Sequence, residues 1–269
     1  MILPQHTIEQ FKTIIESSKR FIILVHTNPD GDALGSAFGW HNLFINLDKI
    51  SQVISPNDSP ETFSWFNDFD HLINFQKEEL KAHDAFSKAD VLLCVDFNGI
   101  SRVEELRSLI ENFNGKKLMV DHHPFPQAFT DEMISYPEAS STSEISYRIM
   151  CDLGYRHLIT KQVAEALYTG VLTDTGGLNH NSSNPETYHT MADLLTCGIN
   201  KSEIHDYVLN SYPESRMRLM GDILSKNLRV LYTYNTAYIF ITESQQKFYN
   251  FSPGDSEGFV NIPLSIKGI

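Results

Sequence analysis

Acidic and histidine residues are concentrated in four short segments of the sequence, and their side chains are common metal ligands. The four segments are His26-Thr-Asn-Pro-Asp-Gly-Asp32, Asp96, Asp121-His122-His123 and Thr173-Asp174-Thr-Gly-Gly177. Mixed carboxylate and imidazole ligands suit Mn(II) or a similar divalent ion, whereas Ca(II) prefers oxygen alone and structural zinc favours thiolates. The chemistry that these residues could carry is therefore metal-dependent.

Each acid taken singly also has an ordinary structural explanation. An isolated Asp is often a turn former, a helix cap or a solvated loop residue. If the acids converge, however, their mutual repulsion would be costly unless cations bound among them. The combined pattern therefore favours metal binding over a set of unrelated turns.

Predicted strands come directly before three of the four segments. These apolar runs are Phe21–Val25, Val91–Val95 and Lys117–Val120. In open α/β sheets the carboxyl ends of the strands line the ligand crevice, so we expect the three segments to converge there. The fourth segment ends an apolar helical run, where an acid is otherwise unexpected.

The surrounding pattern predicts an α/β fold with a mostly parallel sheet flanked by helices. Thr7 and Gln10 form a T-x-x-Q capping box that predicts the start of a first helix. Further helices are expected over 33–47, 102–112 and 142–153, with a weaker strand over 52–55. The chain is mostly helical from 160 to 228 and then favours an antiparallel pair, 229–232 with 237–241, which begins a partial α+β domain.

Composition limits the classes of function. The 269 residues carry 21 Lys and Arg against 34 Asp and Glu, a formal net charge of −13, which argues against a duplex DNA-binding surface. The three cysteines form no CxxC pair, and no apolar run is long enough to cross a bilayer. We therefore expect a cytoplasmic protein with free thiols and no membrane partner.

The motifs HTNPDGD, VDFN, DHH and TDTGG, in this order, resemble those of the DHH phosphoesterase superfamily. The nearest branch is that of the bacterial oligoribonuclease (nanoRNase) and 3′-phosphoadenosine 5′-phosphate (pAp) phosphatase, also described as exopolyphosphatase-related. The resemblance implies a catalytic domain over 1–190, a helical linker over 191–225 and a DHH-associated substrate domain from 226 to 269. Glu257 to Leu264 resembles the start of that last domain, but its GGGH motif is absent from this sequence, so we expect a truncated chain.

The resemblance also implies a two-metal site with Mn(II) as the preferred ion. It assigns His26, Asp30 and Asp96 to one ion, and Asp32, Asp96, His122 and Asp174 to the other. Asp96 would then bridge the two ions and take part in catalysis.

Three residues are expected to contact substrate phosphate. Because successive strand residues point to opposite sides, His122 and His123 should not face one ion together, which leaves His123 for catalysis and for the substrate. The resemblance adds Arg102, which is otherwise a surface helix residue, and His180, which lies where relatives often carry a basic residue.

Two further patterns have simpler interpretations. Ser141-Thr-Ser-Glu144 fits a capping box, although a helix N-terminus can also bind phosphate. Met217, Leu219, Met220, Ile223 and Leu224 form an apolar helical stripe that is typical of a core or of a homodimer face.

The predicted function is Mn-dependent hydrolysis of phosphate esters by water activated by two metal ions. The expected substrates are short oligoribonucleotides, pAp and linear dinucleotides. An exopolyphosphatase or inorganic pyrophosphatase is the enzymatic alternative, and a catalytically weak nucleotide-binding regulatory module is the other. Neither a GxSxG motif nor a P-loop occurs in the sequence.

Overall fold

A six-stranded sheet forms the centre of the computed structural model, which describes residues 4–210, 212–252, 255–256 and 258–269. Its strands are β1 (Arg20–Leu24), β2 (Ile50–Ser55), β3 (Ile73–Asn74), β4 (Val91–Val95), β5 (Lys116–Asp121) and β6 (Glu132–Ser135). The order is β3-β2-β1-β4-β5-β6, and every pairing is parallel. The predicted α/β fold with a parallel sheet is confirmed.

Eight helices accompany this sheet in the part of the chain up to Leu209. They are α1 (Gln5–Ser17), α2 (Gly31–Asn46), α3 (Phe75–Lys88), α4 (Arg107–Glu111), α5 (Thr142–Asp152), α6 (Lys161–Asp174), α7 (Pro185–Leu195) and α8 (Lys201–Leu209). The central strands are buried along their length because they read as continuous apolar runs with helices packed around them. The adjacent strands β1 and β4 mark the point where the strand order reverses, which is where α/β sheets bind ligands.

Several local predictions were wrong. The first helix begins at Gln5 after Pro4 and has no side-chain cap, so Thr7 lies inside the helix and does not cap it. The segment predicted as a helix over 102–112 is a 3₁₀ turn, Ile100–Leu106, followed by the single helical turn α4. The short edge strands β3 and β6 were not predicted, because two to four residues give too little periodicity to detect.

Helices α2 and α6 pack unusually closely. A Cβ at Gly35 would lie 2.6 Å from the carbonyl oxygen of Ala166 and 2.8 Å from the amide nitrogen of Gly170, so only glycine allows this approach. A Cβ at Gly170 would lie 1.9 Å from Ser143 Oγ and 2.8 Å from Asp32 Oδ1. The contact therefore brings the start of α2, the start of α5 and the end of α6 together.

The chain divides into two compact units, with the boundary between Val208 and Leu209. The second unit contains α9 (Glu214–Lys226), β7 (Arg229–Leu231), β8 (Thr236–Tyr238) and α10 (Glu243–Phe248). The predicted antiparallel pair is present as β7 with β8. The boundary falls inside the segment 191–225 that the sequence predicted as a linker.

The core of the second unit is small. Leu219 and Ile223 from the predicted apolar stripe pack there with Phe259, whereas Met217 of the same stripe is exposed. Within the motif Glu257 to Leu264, Glu257 lies outside the described residues, and the rest belongs to a 3₁₀ segment, Phe259–Ser265. None of the helices among the described residues is long and apolar enough to cross a membrane.

Candidate metal centre

The carboxyl ends of the strands and the ends of three helices bring the predicted ligands together. His26 follows β1, Asp96 follows β4 and His122 follows β5, while Asp174 is the last residue of α6. Three groups of donor atoms result among the described residues, each with all its atoms within 4.8 Å of one another, and one of them combines Asp96 with His122 and His123. We call His26, Asp30 and Asp96 the first group, and Asp32, His122 and Asp174 the second group.

Asp96 presents one carboxylate oxygen to a histidine of each group. Its Oδ2 lies 3.6 Å from His26 Nε2, and its Oδ1 lies 3.6 Å from His122 Nε2. These separations are too long for hydrogen bonds but match two ligands that each lie about 2 Å from a shared ion. Asp96 has a positive φ of 64°, so the chain turns sharply as it leaves β4 and directs this carboxylate into the site.

The first group is held by hydrogen bonds that leave its ligand atoms free. His26 Nδ1 donates to the carbonyl oxygen of Thr27 at 2.9 Å, which fixes the tautomer and leaves Nε2 as an acceptor. Asp30 uses Oδ1 to cap α2, accepting from the amides of Asp32 and Ala33 at 3.0 Å each. Its Oδ2 lies 3.8 Å from His26 Nε2.

The second group is buried against the N-terminus of α5. Asp32 accepts from the Thr142 amide at 2.6 Å and from the Ser143 amide at 2.9 Å. The Thr142 hydroxyl donates to Asp96 Oδ1 at 2.8 Å. Asp174 Oδ2 lies 3.7 Å from His122 Nε2. The first turn of α5 therefore orients one carboxylate of the second group together with the shared Asp96.

The electrostatics of the site favour bound cations. Burial, reinforced by neighbouring carboxylates, raises the pKa of Asp96 well above its ordinary value and that of Asp174 to about 8. Burial also raises the pKa of Asp32 and lowers that of His26. The protein alone supplies too little positive charge to offset the negative charge of these carboxylates, and a divalent cation would supply it.

Two buried acceptors in the site are consistent with a metal ligand set. His26 Nε2 and Asp174 Oδ2 are among the buried side-chain atoms of the described residues that have no hydrogen-bond partner. An unpaired buried polar atom costs about 1–3 kcal/mol, so such atoms call for a ligand. Both atoms face other carboxylate or imidazole donors, and this arrangement suits an ion placed between them.

The two adjacent histidines do not point to opposite sides, and the prediction that they would is wrong. Strand β5 ends at Asp121, so strand alternation no longer applies to His122 and His123, and their rings meet edge to face at 4.8 Å. His123 Nδ1 lies 3.8 Å from Asp96 Oδ1. That nitrogen, however, donates to Asp121 Oδ1 at 2.8 Å, which leaves only Nε2 of His123 for another partner.

The other predicted substrate residues lie around this centre. Arg102 is exposed on the 3₁₀ turn after β4, its carbonyl accepts from the Thr27 amide at 2.9 Å, and its charge helps to lower the pKa of His26. His180 is exposed on the loop after α6, where a Cβ on Gly176 would lie 3.0 Å from the His180 ring. Neither side chain belongs to the two donor groups.

Sequence reasoning missed the residues that orient the ligands. Asp121 has no role in the predicted ligand set, but it is fully buried and accepts both the amide and the ring hydrogen of His123. Ser141 caps α5 as predicted, through its contact with the Glu144 amide. Glu144 accepts from Ser140 and not from Ser141, so the predicted capping box is only half formed. The Thr142 and Ser143 amides at that helix end donate to Asp32, so they are not available to a phosphate.

Comparison with known proteins agrees with this geometry. Residues 20–171 match the DHH family, N-terminal domain. An exopolyphosphatase-related protein from Bacteroides fragilis is 41% identical, with a TM-score of 0.96, and the match covers 100% of this chain and 78% of that one.

Curated relatives are more distant. The bifunctional oligoribonuclease and PAP phosphatase NrnA of Thermus thermophilus is 29% identical over 206 residues, which is 76% of this chain and 57% of the relative. Protein MG371 of Mycoplasma genitalium is 27% identical over 207 residues, which is 75% of this chain and 59% of the relative. The chain thus spans less than three fifths of the length of these two relatives.

Proposed function

The chain belongs to the DHH family of phosphoesterases, and from this membership we propose that it hydrolyses phosphate esters of short oligoribonucleotides or of pAp with two divalent metal ions, Mn(II) by preference. The observation that carries the proposal is the position of Asp96, whose two oxygens face His26 of the first group and His122 of the second, with two buried acceptors left unpaired. NrnA of Thermus thermophilus, with the oligoribonuclease and PAP phosphatase activities in its name, supports this choice of substrates.

The protein residues would hold the ions and align the phosphate. His26, Asp30 and Asp96 would hold one ion, and Asp32, His122, Asp174 and Asp96 the other. When bound, the ions supply an activated water at neutral pH and offset negative charge on the phosphoryl oxygens. Thr142 fixes the Asp96 carboxylate, and the amides of α5 fix Asp32.

His123 would contact the substrate phosphate. Asp121 holds its ring through Nδ1, so a protonated His123 can donate from Nε2 to a phosphoryl oxygen. Arg102 and His180 are proposed as additional phosphate contacts at the rim.

A panel of substrates tests the proposal. The protein is assayed with Mn(II) on pAp, on a ribotrinucleotide and on inorganic pyrophosphate, and the release of phosphate or mononucleotide is measured. We expect turnover of pAp or the trinucleotide that disappears with a chelator and returns with Mn(II). Absence of hydrolysis of both nucleotides at full metal occupancy would refute the proposal and would favour a binding module.

A second candidate is exopolyphosphatase activity. It is favoured by the similarity, at 41% identity, to the exopolyphosphatase-related protein of Bacteroides fragilis. The same panel, extended with a linear polyphosphate, compares kcat/KM for the two substrate classes. A higher value for polyphosphate than for either nucleotide would support this second candidate over the first.

A further inference from the structure

A cleft of about 600 Å³ opens beside the donor groups, within the first unit. His122, His123 and Pro124 line one side of it, and Asn181, Ser183 and Asn184 are among the residues that line the rest. Because His122 is a ligand candidate and His123 faces the proposed phosphate position, the cleft begins where the reacting phosphate would lie. Whatever is attached to that phosphate can extend into the cleft.

The cleft walls beyond the two histidines carry amide and hydroxyl groups but no positive charge. Among the described residues that line the cleft there is neither Lys nor Arg, and the one acid is the exposed Glu138. Among the same residues, the side chains of Asn181 and Ser183 form no hydrogen bond within the protein, whereas Asn184 uses Oδ1 to cap α7. Hydrogen-bonding capacity is therefore available for a neutral polar ligand.

Hydrogen bonds to Thr175 hold the first residues of the loop that leads to these groups. Buried Thr175 accepts from the Leu178 amide through Oγ1 at 3.0 Å, and its carbonyl accepts from the amides of Asn179 and His180 at 2.9 Å each. Asn181 adopts a positive φ of 47°, a conformation that Asn tolerates better than most residues. A fixed loop loses little conformational entropy when it binds a ligand.

We propose that this cleft binds the nucleoside part of the substrate through Asn181 and Ser183, and that Glu138 disfavours a chain of phosphates. The inference rests on the proposed phosphoesterase function and names the substrate class of that site. A nucleoside is uncharged and offers ribose hydroxyls and base edges to amide and hydroxyl groups. A second or third phosphate would instead lie near a carboxylate with no cationic side chain to offset its charge.

A double variant, Asn181→Ala with Ser183→Ala, tests the binding role. We expect KM for pAp and for a ribotrinucleotide to rise about tenfold, because each of the two lost hydrogen bonds contributes on the order of a threefold change in affinity. The ratio of kcat/KM for pAp to that for pyrophosphate should fall by the same factor. Manganese content, measured by elemental analysis, should equal that of the unaltered protein.

The matched control is Asn179→Ala, since Asn179 lies in the same loop, its side chain donates to the Gly176 carbonyl, and it is not among the residues that line the cleft. It should leave the ratio unchanged. A KM for pAp that is equal in the double variant and the unaltered protein would overturn the inference while the phosphoesterase function stands.

Glu138→Gln and Glu138→Lys test the selection against phosphate chains. We expect kcat/KM for pyrophosphate to rise several-fold in the first variant and further in the second, and to rise more than the values for pAp and the trinucleotide, in which a ribose separates the reacting phosphate from the next one. An unchanged selectivity in both variants would contradict the role of Glu138.

A binding measurement keeps the test independent of turnover. Calorimetric titration of AMP into the manganese-loaded protein should show affinity about tenfold weaker in the Asn181→Ala, Ser183→Ala double variant. If the unaltered protein hydrolyses no nucleotide, the proposed function fails, and this titration still decides whether the cleft binds a nucleoside. Equal AMP affinities in the two proteins would overturn the inference.

Discussion

The first and second donor groups use acids only two residues apart in entirely different settings. Asp30 is 47% exposed, caps its own helix α2 with one oxygen and turns the other toward His26. Asp32 is 1% exposed, and both of its oxygens accept amide hydrogens from α5, a helix that begins 110 residues later. The first group therefore opens to solvent at Asp30, whereas the second is built into the packing between helices.

This difference distinguishes an acid that serves the site alone, Asp30, from one that also stabilises the fold, Asp32. In the first group, the capping interaction of Asp30 is local, and any good cap residue could replace it. In the second group, the Asp32 carboxylate satisfies the N-terminus of α5 and joins elements that are distant in sequence. We therefore expect a change at Asp30 to affect activity alone, and a change at Asp32 to affect activity and stability together.

The largest effect should come from Asp96, which faces both groups. Asp96→Asn should lower kcat for every substrate at least ~1,000-fold, a barrier increase of about 4 kcal/mol, and should reduce the amount of bound metal. Thr142→Val, which removes only the hydroxyl that orients Asp96, should have a smaller effect that Thr142→Ser restores. Retention of more than about a tenth of kcat in Asp96→Asn under saturating Mn(II) would exclude a shared role for Asp96.

The direct comparison is between Asp32→Asn and Asp30→Asn. In Asp32→Asn, an amide NH₂ would face a backbone N–H of α5, so the free energy of unfolding should fall by roughly 2–4 kcal/mol along with activity. Asn caps helices as well as Asp does, so Asp30→Asn should lower activity with a stability change of less than about 0.5 kcal/mol. Urea unfolding of both metal-free variants measures the change in the free energy of unfolding. Equal losses of stability in the two variants would contradict the proposed difference between Asp30 and Asp32.

Helix packing offers a way to disturb the second group without altering a ligand. Gly170→Ala would press a methyl group against Ser143 and Asp32, and such overpacking costs about 1–3 kcal/mol of stability. The control is Gly221→Ala in α9, where a Cβ would meet nothing within 4 Å and could gain up to ~1 kcal/mol from helix propensity. Thermal unfolding measures the stability of both variants, and metal titration measures their manganese affinity. An unchanged manganese affinity in Gly170→Ala would show that this helix contact does not influence metal binding.

The adjacent histidines should separate metal binding from turnover. His122→Ala removes a nitrogen that faces both Asp96 and Asp174, so manganese occupancy in the second group should fall. His123→Ala should retain both ions and lower kcat about 100-fold, because this ring is bound to Asp121 and reserved for the substrate. Anomalous scattering at the manganese edge distinguishes them, and loss of metal in His123→Ala alone would reverse the two roles.

Much of the fold could be predicted because its central elements carry strong local signals. Val91–Val95 is a strand with the predicted bounds, since an unbroken apolar run in a parallel sheet is unambiguous. The acids after the strands could be expected to converge because parallel strands share one carboxyl edge. The edge strands β3 and β6 could not, because their pairing depends on neighbours and not on their own sequence.

The orienting contacts of the site lay beyond local patterns. Ser141 indicated the start of α5, yet nothing near it in sequence showed that Asp32 would accept the amides of Thr142 and Ser143. The spacing of Gly31, Gly35 and Gly39 at every fourth residue is a local signal for close helix packing. Strand alternation does not extend to His123 because β5 ends at Asp121.

The smallest effect concerns pH and again separates the groups. Burial raises the pKa of Asp174 to about 8, above the unfolded value near 3.9, so the folded protein binds more protons than the unfolded chain between these values. Stability of the metal-free protein should therefore fall as pH rises through 8, and between pH 7 and 9 the Tm should drop by roughly 3–5 °C. His26, with its lowered pKa, is neutral throughout this window. Asp174→Asn should reduce the drop, with the raised pKa values of Asp96 and Asp32 accounting for what remains, whereas the surface control Asp152→Asn should retain all of it. Differential scanning calorimetry with a chelator gives both curves, and an Asp174→Asn curve parallel to that of the unaltered protein would show that the Asp174 carboxyl carries none of this pH dependence.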